Sequence, residues 1–347
     1  MTLLSVTNRA LSRSWGRWSK GILTGAAIAL MESANGETYL GPALTLWVEN
    51  DAVFQTDRHY THGSRMGYLH QESAADSASI ISLMARWLPA FGMESVSIRW
   101  GAQLGQSLYT PTDLYDPAAQ LRDRPYAAWL YGAATIQRRG ASLGSVPTLD
   151  VVSLDVGLVG PGALGDELQS VVHRVDAAGW DHQLRNEPAI NLETARIWRG
   201  SIGTPDDWSF QWLPSCSLRT GTLQVKASVG CQLRVGHRIP EDFGRYSLDE
   251  SAPETGGIPQ GVTRGFYTYF LLGFEGKAVA CNMLLDGNLW HNSHSVDKKP
   301  FIADVTAGWV VGWRKLELAY IHVFRSQEFR GQPEVDSFGS VAISYRW

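Results

Sequence analysis

FIADVTAGWVV, residues 301–311, alternates with a period of two: Phe301, Ala303, Val305, Ala307, Trp309 and Val311 fall on one side, Asp304 and Thr306 on the other. Successive side chains of a strand point to opposite faces of its sheet, so the segment predicts a strand with one apolar and one polar face. The pattern recurs. Val152, Leu154, Val156 and Leu158 are separated by Ser153, Asp155 and Gly157, and Val341, Ile343, Tyr345 and Trp347 alternate with Ala342, Ser344 and Arg346.

Counted outward from these, such segments number twelve: 43–49, 60–71, 95–108, 125–138, 147–159, 187–201, 208–220, 223–235, 264–281, 300–313, 316–326 and 336–347. After residue 42 no apolar run reaches the ~18 residues that a membrane-spanning helix needs. An even number of strands near or above the ~9–11 residues that cross a bilayer at a tilt predicts a barrel. The expected fold is therefore all-β: a twelve-stranded antiparallel transmembrane β-barrel over residues 43–347, with a short helix in an extracellular loop. Trp347 lies inside the last segment, so first and last strands are expected to pair and leave no open edge. A soluble sandwich or lipocalin-like barrel is the competing reading, against which strand length weighs.

Composition is consistent with this. Among 347 residues, 30 basic and 34 acidic side chains leave a net charge of −4, which argues against a nucleic-acid partner. Mean hydropathy is −0.14, as expected where apolar residues are dispersed by alternation. The 14 Trp, 12 Tyr and 11 Phe suit aromatic girdles at both membrane interfaces. Cys216, Cys231 and Cys281 have no metal-ligand spacing and, being odd in number, no complete disulfide framework. Arg9, Arg13, Arg17 and Lys20 precede the apolar run GILTGAAIALM (21–31), which predicts a signal peptide over 1–34 with cleavage near Ala34.

If strands alternate up and down, connections 50–59, 109–124, 160–186, 221–222, 282–299 and 327–335 share one end. With both termini in the periplasm, that end faces outside the cell. Two connections at the opposite end are long: 72–94, with an amphipathic helix near Ser79 to Leu88, and 236–263.

At the outer end, WVENDAVFQTDRHYTHGSRMGYL (47–69) crowds Glu49, Asn50, Asp51, Asp57, Arg58, His59, Tyr60, Thr61 and His62 together. Asn50 and Asp51 alone read equally well as turn residues. In the third outer connection, GDELQSVVHRV (165–175) predicts a helix with Leu168, Val172 and Val175 on one face and Gln169 and His173 four residues apart beside them. GWDHQLRNEP (179–188) then turns back to the wall. GxSxG occurs once, as GASLG (140–144), in a short turn at the opposite end, and the HExxH, P-loop and CxxC motifs are absent. The oxygens of Asn50, Asp51 and Thr61 suit a hard cation such as calcium. Such an ion polarises an ester carbonyl, and a neutral His takes a proton from water. Together they describe metal-assisted ester hydrolysis without a covalent intermediate.

Three blocks, in order, resemble the lipid A 3′-O-deacylase family of Gram-negative outer membranes. They are WVENDAVFQTDRHYTHG (47–63), GQSLYTPTDL (105–114) with DRPYAAWLYG (123–132), and VGLVGPGALGDELQSVVHRV (156–175) with GWDHQLRNEP. VACNMLLDGN (279–288) and the final aromatic strand extend the likeness more loosely. The resemblance implies a twelve-stranded outer-membrane barrel that removes an acyloxyacyl chain from lipid A in the outer leaflet, its site facing the extracellular side. It implies His173 as general base, Gln169 as its orienter or a substrate contact, and Asn50, Asp51 and Thr61 as metal and oxyanion elements. Asp51 and Asn50 would hold Ca2+ or another divalent ion. Asp123, Arg124 and Tyr126 are the expected substrate contacts, with Arg122 or Arg124 standing in for a basic residue that has no Lys counterpart here. Lipopolysaccharide is the expected partner; oligomeric state is left open. The alternatives are a phospholipase or esterase of broader specificity, or a non-catalytic pore or surface-binding barrel.

Overall fold

The computed structural model describes residues 39–50, 59–77, 79–85, 92–172, 177–244, 255–256 and 265–347; the predicted signal peptide lies outside them. Chain order begins with β1 (Ala43–Asn50), β2 (His59–Leu69), the two-residue β3 (Ser73–Ala74), α1 (Ile80–Ala85), β4 (Glu94–Thr110), β5 (Ala127–Ser142) and β6 (Val146–Val159). Then come α2 (Gly165–Val172), β7 (Glu187–Trp198), the four-residue β8 (Gly200–Gly203), β9 (Trp208–Gly221), β10 (Gln224–His237) and β11 (Phe266–Asn282). The one-turn α3 (Met283–Asp286), β12 (Phe301–Trp313), β13 (Leu316–Arg325) and β14 (Asp336–Arg346) complete the series.

Apart from the short β3 and β8, the strands form one antiparallel wall in sequence order. It closes where β14 meets β1, from Ala43 opposite Arg346 to Asn50 opposite Gly339. The result is a closed twelve-stranded antiparallel barrel. The expected strand 187–201 is interrupted at Arg199, whose N–H bonds to Pro147 O on β6 while Gly200–Gly203 pairs with β9.

Alternation sorts the side chains as expected. Phe301, Val305 and Trp309 are exposed on the outside of β12, and Leu44, Leu46 and Val48 on the outside of β1. Inside, charges that face no water must be paired. Asp304 takes Lys277 at 2.8 Å and Arg325 at 3.0 Å; Glu317 takes Arg346 at 2.7 Å; Arg219 takes Asp155 at 3.3 Å and also Glu193. Large rings lie across glycines of neighbouring strands. A Cβ on Gly105 would stand 2.5 Å from the Tyr131 ring, so only glycine leaves the ring its place.

The long connection after β10 turns into the barrel. Ile239 joins the main core with Tyr267 and Tyr269, and Phe243 packs among Leu149, Val151, Ala195, Ile197 and Leu213. Asp242 meets Arg234 at 2.8 Å, and Arg99 donates to Thr255 O at 2.8 Å and Gly256 O at 3.1 Å. Described residues therefore fill the lumen at the end where β1 begins and β14 finishes. At the other end the lumen is capped by the connections around Asp123 and Glu328, where Arg124 pairs with Glu328 at 3.3 Å.

Candidate functional site

β1 carries its odd residues inward and its even residues outward, so Asn50, its last residue, comes out on the outer face beyond Val48. Across the ladder Asn50 faces His62 on β2, and His62 faces Leu108 on β4. Between them the register slips by one residue. Tyr60 pairs with Tyr109 and His62 with Leu108, which leaves Thr61 as the extra residue of a β-bulge. A bulge re-aims side chains. Tyr60 turns inward and donates its hydroxyl to Glu49 at 2.5 Å, while the Thr61 hydroxyl meets that of Thr110, an outward position, at 2.5 Å. Thr61 and His62 therefore both serve the outer face, and both are buried there.

The third connection lies against the neighbouring strands β4 and β5. A tight turn over Pro161–Ala163 leads through Leu164, in the left-handed region at φ 58°, into α2. Gln106, outward on β4, donates to Ala163 O at 2.5 Å and Leu164 O at 3.1 Å and so ties the turn to the wall. Asn186 accepts from the Gly162 N–H at 2.7 Å. Leu108, Leu114, Tyr126, Ala128, Ala163, Ala177 and Trp180 form an apolar cluster with Leu168 against it. Leu108 and Ala128 belong to the outer wall, so α2 lies against the outside of the barrel, not over its mouth. Asp166 and Glu167 in its first turn complement the positive end of the helix.

Gln169 is buried at 1 % exposure, and its Oε1 accepts from Trp180 Nε1 at 2.7 Å. The Trp180 ring packs on Tyr126 with centroids 5.1 Å apart. A Cβ on Gly165 would come within 2.6 Å of the same indole and 2.7 Å of Ala128, so α2 approaches the wall as closely as a glycine permits.

The structure thus brings Asn50, Thr61 and Gln169 to one outer face. His173 and Asp51 lie outside the described residues, each directly beyond a described element: α2 ends at Val172, β1 at Asn50. Of the three residues expected to touch substrate, Tyr126 lies within this outer cluster, whereas Arg124 and Asp123 are engaged on the inner side. Arg124 enters the lumen, stacks 4.4 Å over the Tyr109 ring and pairs with Glu328. Asp123 accepts from Thr112 N and Arg124 N and pairs with His59 at 3.5 Å. Burial works to raise the Asp123 carboxyl, but hydrogen bonds from His59 and Thr112 outweigh it and hold the group well below the ordinary carboxylate range. Tyr126 is packed beneath Trp180. Two residues beside this face, His62 and Trp180, were not among the expected site residues, although His62 was read as one of the crowded polar groups of 47–69. His62 was legible in principle from strand parity, since it shares the outward set with Tyr68 and Met66; Trp180 had no signal beyond lying in a crowded turn.

Among the described residues no group of three or more His, Cys, Asp and Glu side chains is placed to hold a metal. The donors at the rim are nonetheless of one kind: the amide of Asn50, half-buried on the outer face, and the Thr61 hydroxyl, with the Asp51 carboxylate next in sequence. An all-oxygen set of this type fits a hard cation that completes its shell from water or substrate.

The sequence matches the family model described as outer membrane protein LpxR over residues 22–347. Among solved structures, LpxR from Salmonella typhimurium superposes with a TM-score of 0.68 at 19 % identity, covering 88 % of this chain and 100 % of that one. The β domain of the Bordetella autotransporter BrkA reaches 0.40 at 11 % identity over 90 % and 100 % of the two chains. The translocator domain of the autotransporter NalP from Neisseria meningitidis reaches 0.34 at 10 % identity over 96 % of each. No curated protein matches the chain.

Proposed function

The chain belongs to the outer membrane protein LpxR family, and on that premise we propose that it is a lipid A 3′-O-deacylase, working at the extracellular end of the barrel on lipid held in the outer leaflet. One observation carries the reading: Asn50, Thr61 and the α2 face bearing Gln169 gather on the lipid-facing side of the wall. A site there meets an acyl chain still embedded in the membrane, so the substrate need not leave the bilayer to react. The filled lumen weighs against a pore.

In the proposed reaction His173, four residues after Gln169 in sequence, takes a proton from water, and the water oxygen attacks the ester carbonyl carbon. Electrons of the C=O bond move onto oxygen, and collapse of that intermediate expels the sugar oxygen, which recovers the proton from the imidazolium. Asn50 and Asp51 would hold Ca2+ or a similar hard ion, which when bound supplies positive charge near the carbonyl. Thr61, braced by Thr110, keeps the adjoining wall residue fixed.

Mass spectrometry of lipid A tests this, comparing cells that express the protein with cells that express His173→Ala at equal amounts of folded barrel. The mass of one acyloxyacyl group is lost only with the unmodified chain; unchanged lipid A in both sinks the reading. Chelation is expected to abolish the activity and calcium to restore it.

A further inference from the structure

We propose that Trp180 is a positioning residue that fixes Gln169 as a hydrogen-bond donor toward the carbonyl oxygen of the ester under attack. This deepens the deacylase reading and rests on it. An indole N–H only donates. At 2.7 Å from Trp180 Nε1, the contacted atom of Gln169 must therefore be its carbonyl oxygen, and its amide nitrogen points the other way. The flipped amide would set two donors against each other in a buried place. Gln169 Nε2 is itself buried and has no hydrogen-bond partner among the described residues. Native proteins seldom leave such a donor unmatched without a purpose.

The lock is rigid. Trp180 is 4 % exposed and packed at a tilt against Tyr126, and a Cβ at Gly179 would stand 2.5 Å from the Tyr126 ring. Gln169 cannot swing to present its oxygen without breaking this packing.

The polarity selects between two roles. An imidazole that acts as base keeps a lone pair free for the proton of water, and its other N–H looks for an acceptor. The oxygen of Gln169 is already held by Trp180, and the group left without a partner among the described residues is its N–H. What it offers is an N–H. As water attacks, negative charge grows on the carbonyl oxygen, and a fixed donor favours that charge over the neutral ester. Gln169 then touches the reacting atoms; Trp180 acts through it.

The experiment uses the full barrel reconstituted with lipid A. Trp180→Phe keeps the ring packing and removes only the N–H; kcat is expected to fall about fivefold or more, the worth of one hydrogen bond, with KM little changed. Gln169→Glu exchanges the donor for an acceptor; kcat is expected to fall about a hundredfold, as for loss of an oxyanion donor. The ratio of Gln169→Glu to unmodified activity should then rise as pH is lowered, because a protonated carboxyl regains an O–H to donate. A structural role would not produce that slope. Unmodified protein that leaves lipid A intact overturns the deacylase reading and this role with it. An active enzyme whose folded Trp180→Phe variant keeps full kcat, or whose Gln169→Glu ratio is flat with pH, overturns this role alone. If Trp180→Phe fails to fold, the Gln169→Glu profile decides.

Discussion

Asp123 organises the rim of the barrel from inside. It caps the Thr112 and Arg124 N–H groups at 2.8 and 2.7 Å and faces His59, whose other ring nitrogen lies 2.5 Å from Asp336. A carboxyl whose folded pKa is depressed adds stability that is fully present above its unfolded value, about 4. That stability is lost as pH falls through the unfolded value toward the folded one. Asp123→Asn is therefore expected to cost about 1–3 kcal/mol at pH 7 and to flatten the loss of stability on acidification below about pH 5, read by thermal unfolding in detergent at several pH values. A variant as stable as the parent at neutral pH would remove Asp123 from this role. Asn50 was legible as an outward residue because alternation through β1 can be counted. The bulge at Thr61 was not, since a one-residue slip leaves no mark in composition. Nor was the inward course of Arg124, because a loop has no periodicity from which to read a direction.

The elements that carry the candidate site are a strand end, a bulge and one short helix held against the outside of the wall. At Gly165 α2 lies hard against β5, with the Trp180 indole and Ala128 both within reach of any Cβ placed there. Gly165→Val is expected to leave the barrel closed, as shown by heat-modifiable gel mobility, while it lowers the proposed deacylase activity about a hundredfold through displacement of the helix. Full activity in the folded variant would refute the close seating of α2. That a helix begins near residue 165 was readable from the spacing of Leu168, Val172 and Val175. That it lies beside lipid was not, because helical spacing says which residues share a face and nothing about what that face meets. The connection after β10 was legible only as long. Its turn into the lumen rests on Ile239, Phe243 and the Arg234–Asp242 pair, none of which forms a periodic pattern.

For the molecule as a whole, strand number, antiparallel order and closure all followed from period-two alternation, since a wall with lipid outside and charges inside has only that pattern available. Its filled interior predicts that purified protein in a planar lipid bilayer gives no conductance steps; stepwise ion currents would contradict the packing of Asp304, Arg325, Arg346 and their partners.

The seam between β1 and β14 also sets a timetable. Thr45 and Ser344, 299 positions apart, share a hydrogen bond of 2.9 Å across it. No cylinder exists until synthesis has delivered the last strand, and until then both margins of the sheet expose unpaired amides and carbonyls. Contacts of such separation form slowly, because the ends of a long chain must first meet. The nascent protein must therefore travel to its membrane unclosed, shielded from pairing with its own kind, and truncation ahead of Asp336 would yield an aggregating ribbon instead of a smaller barrel.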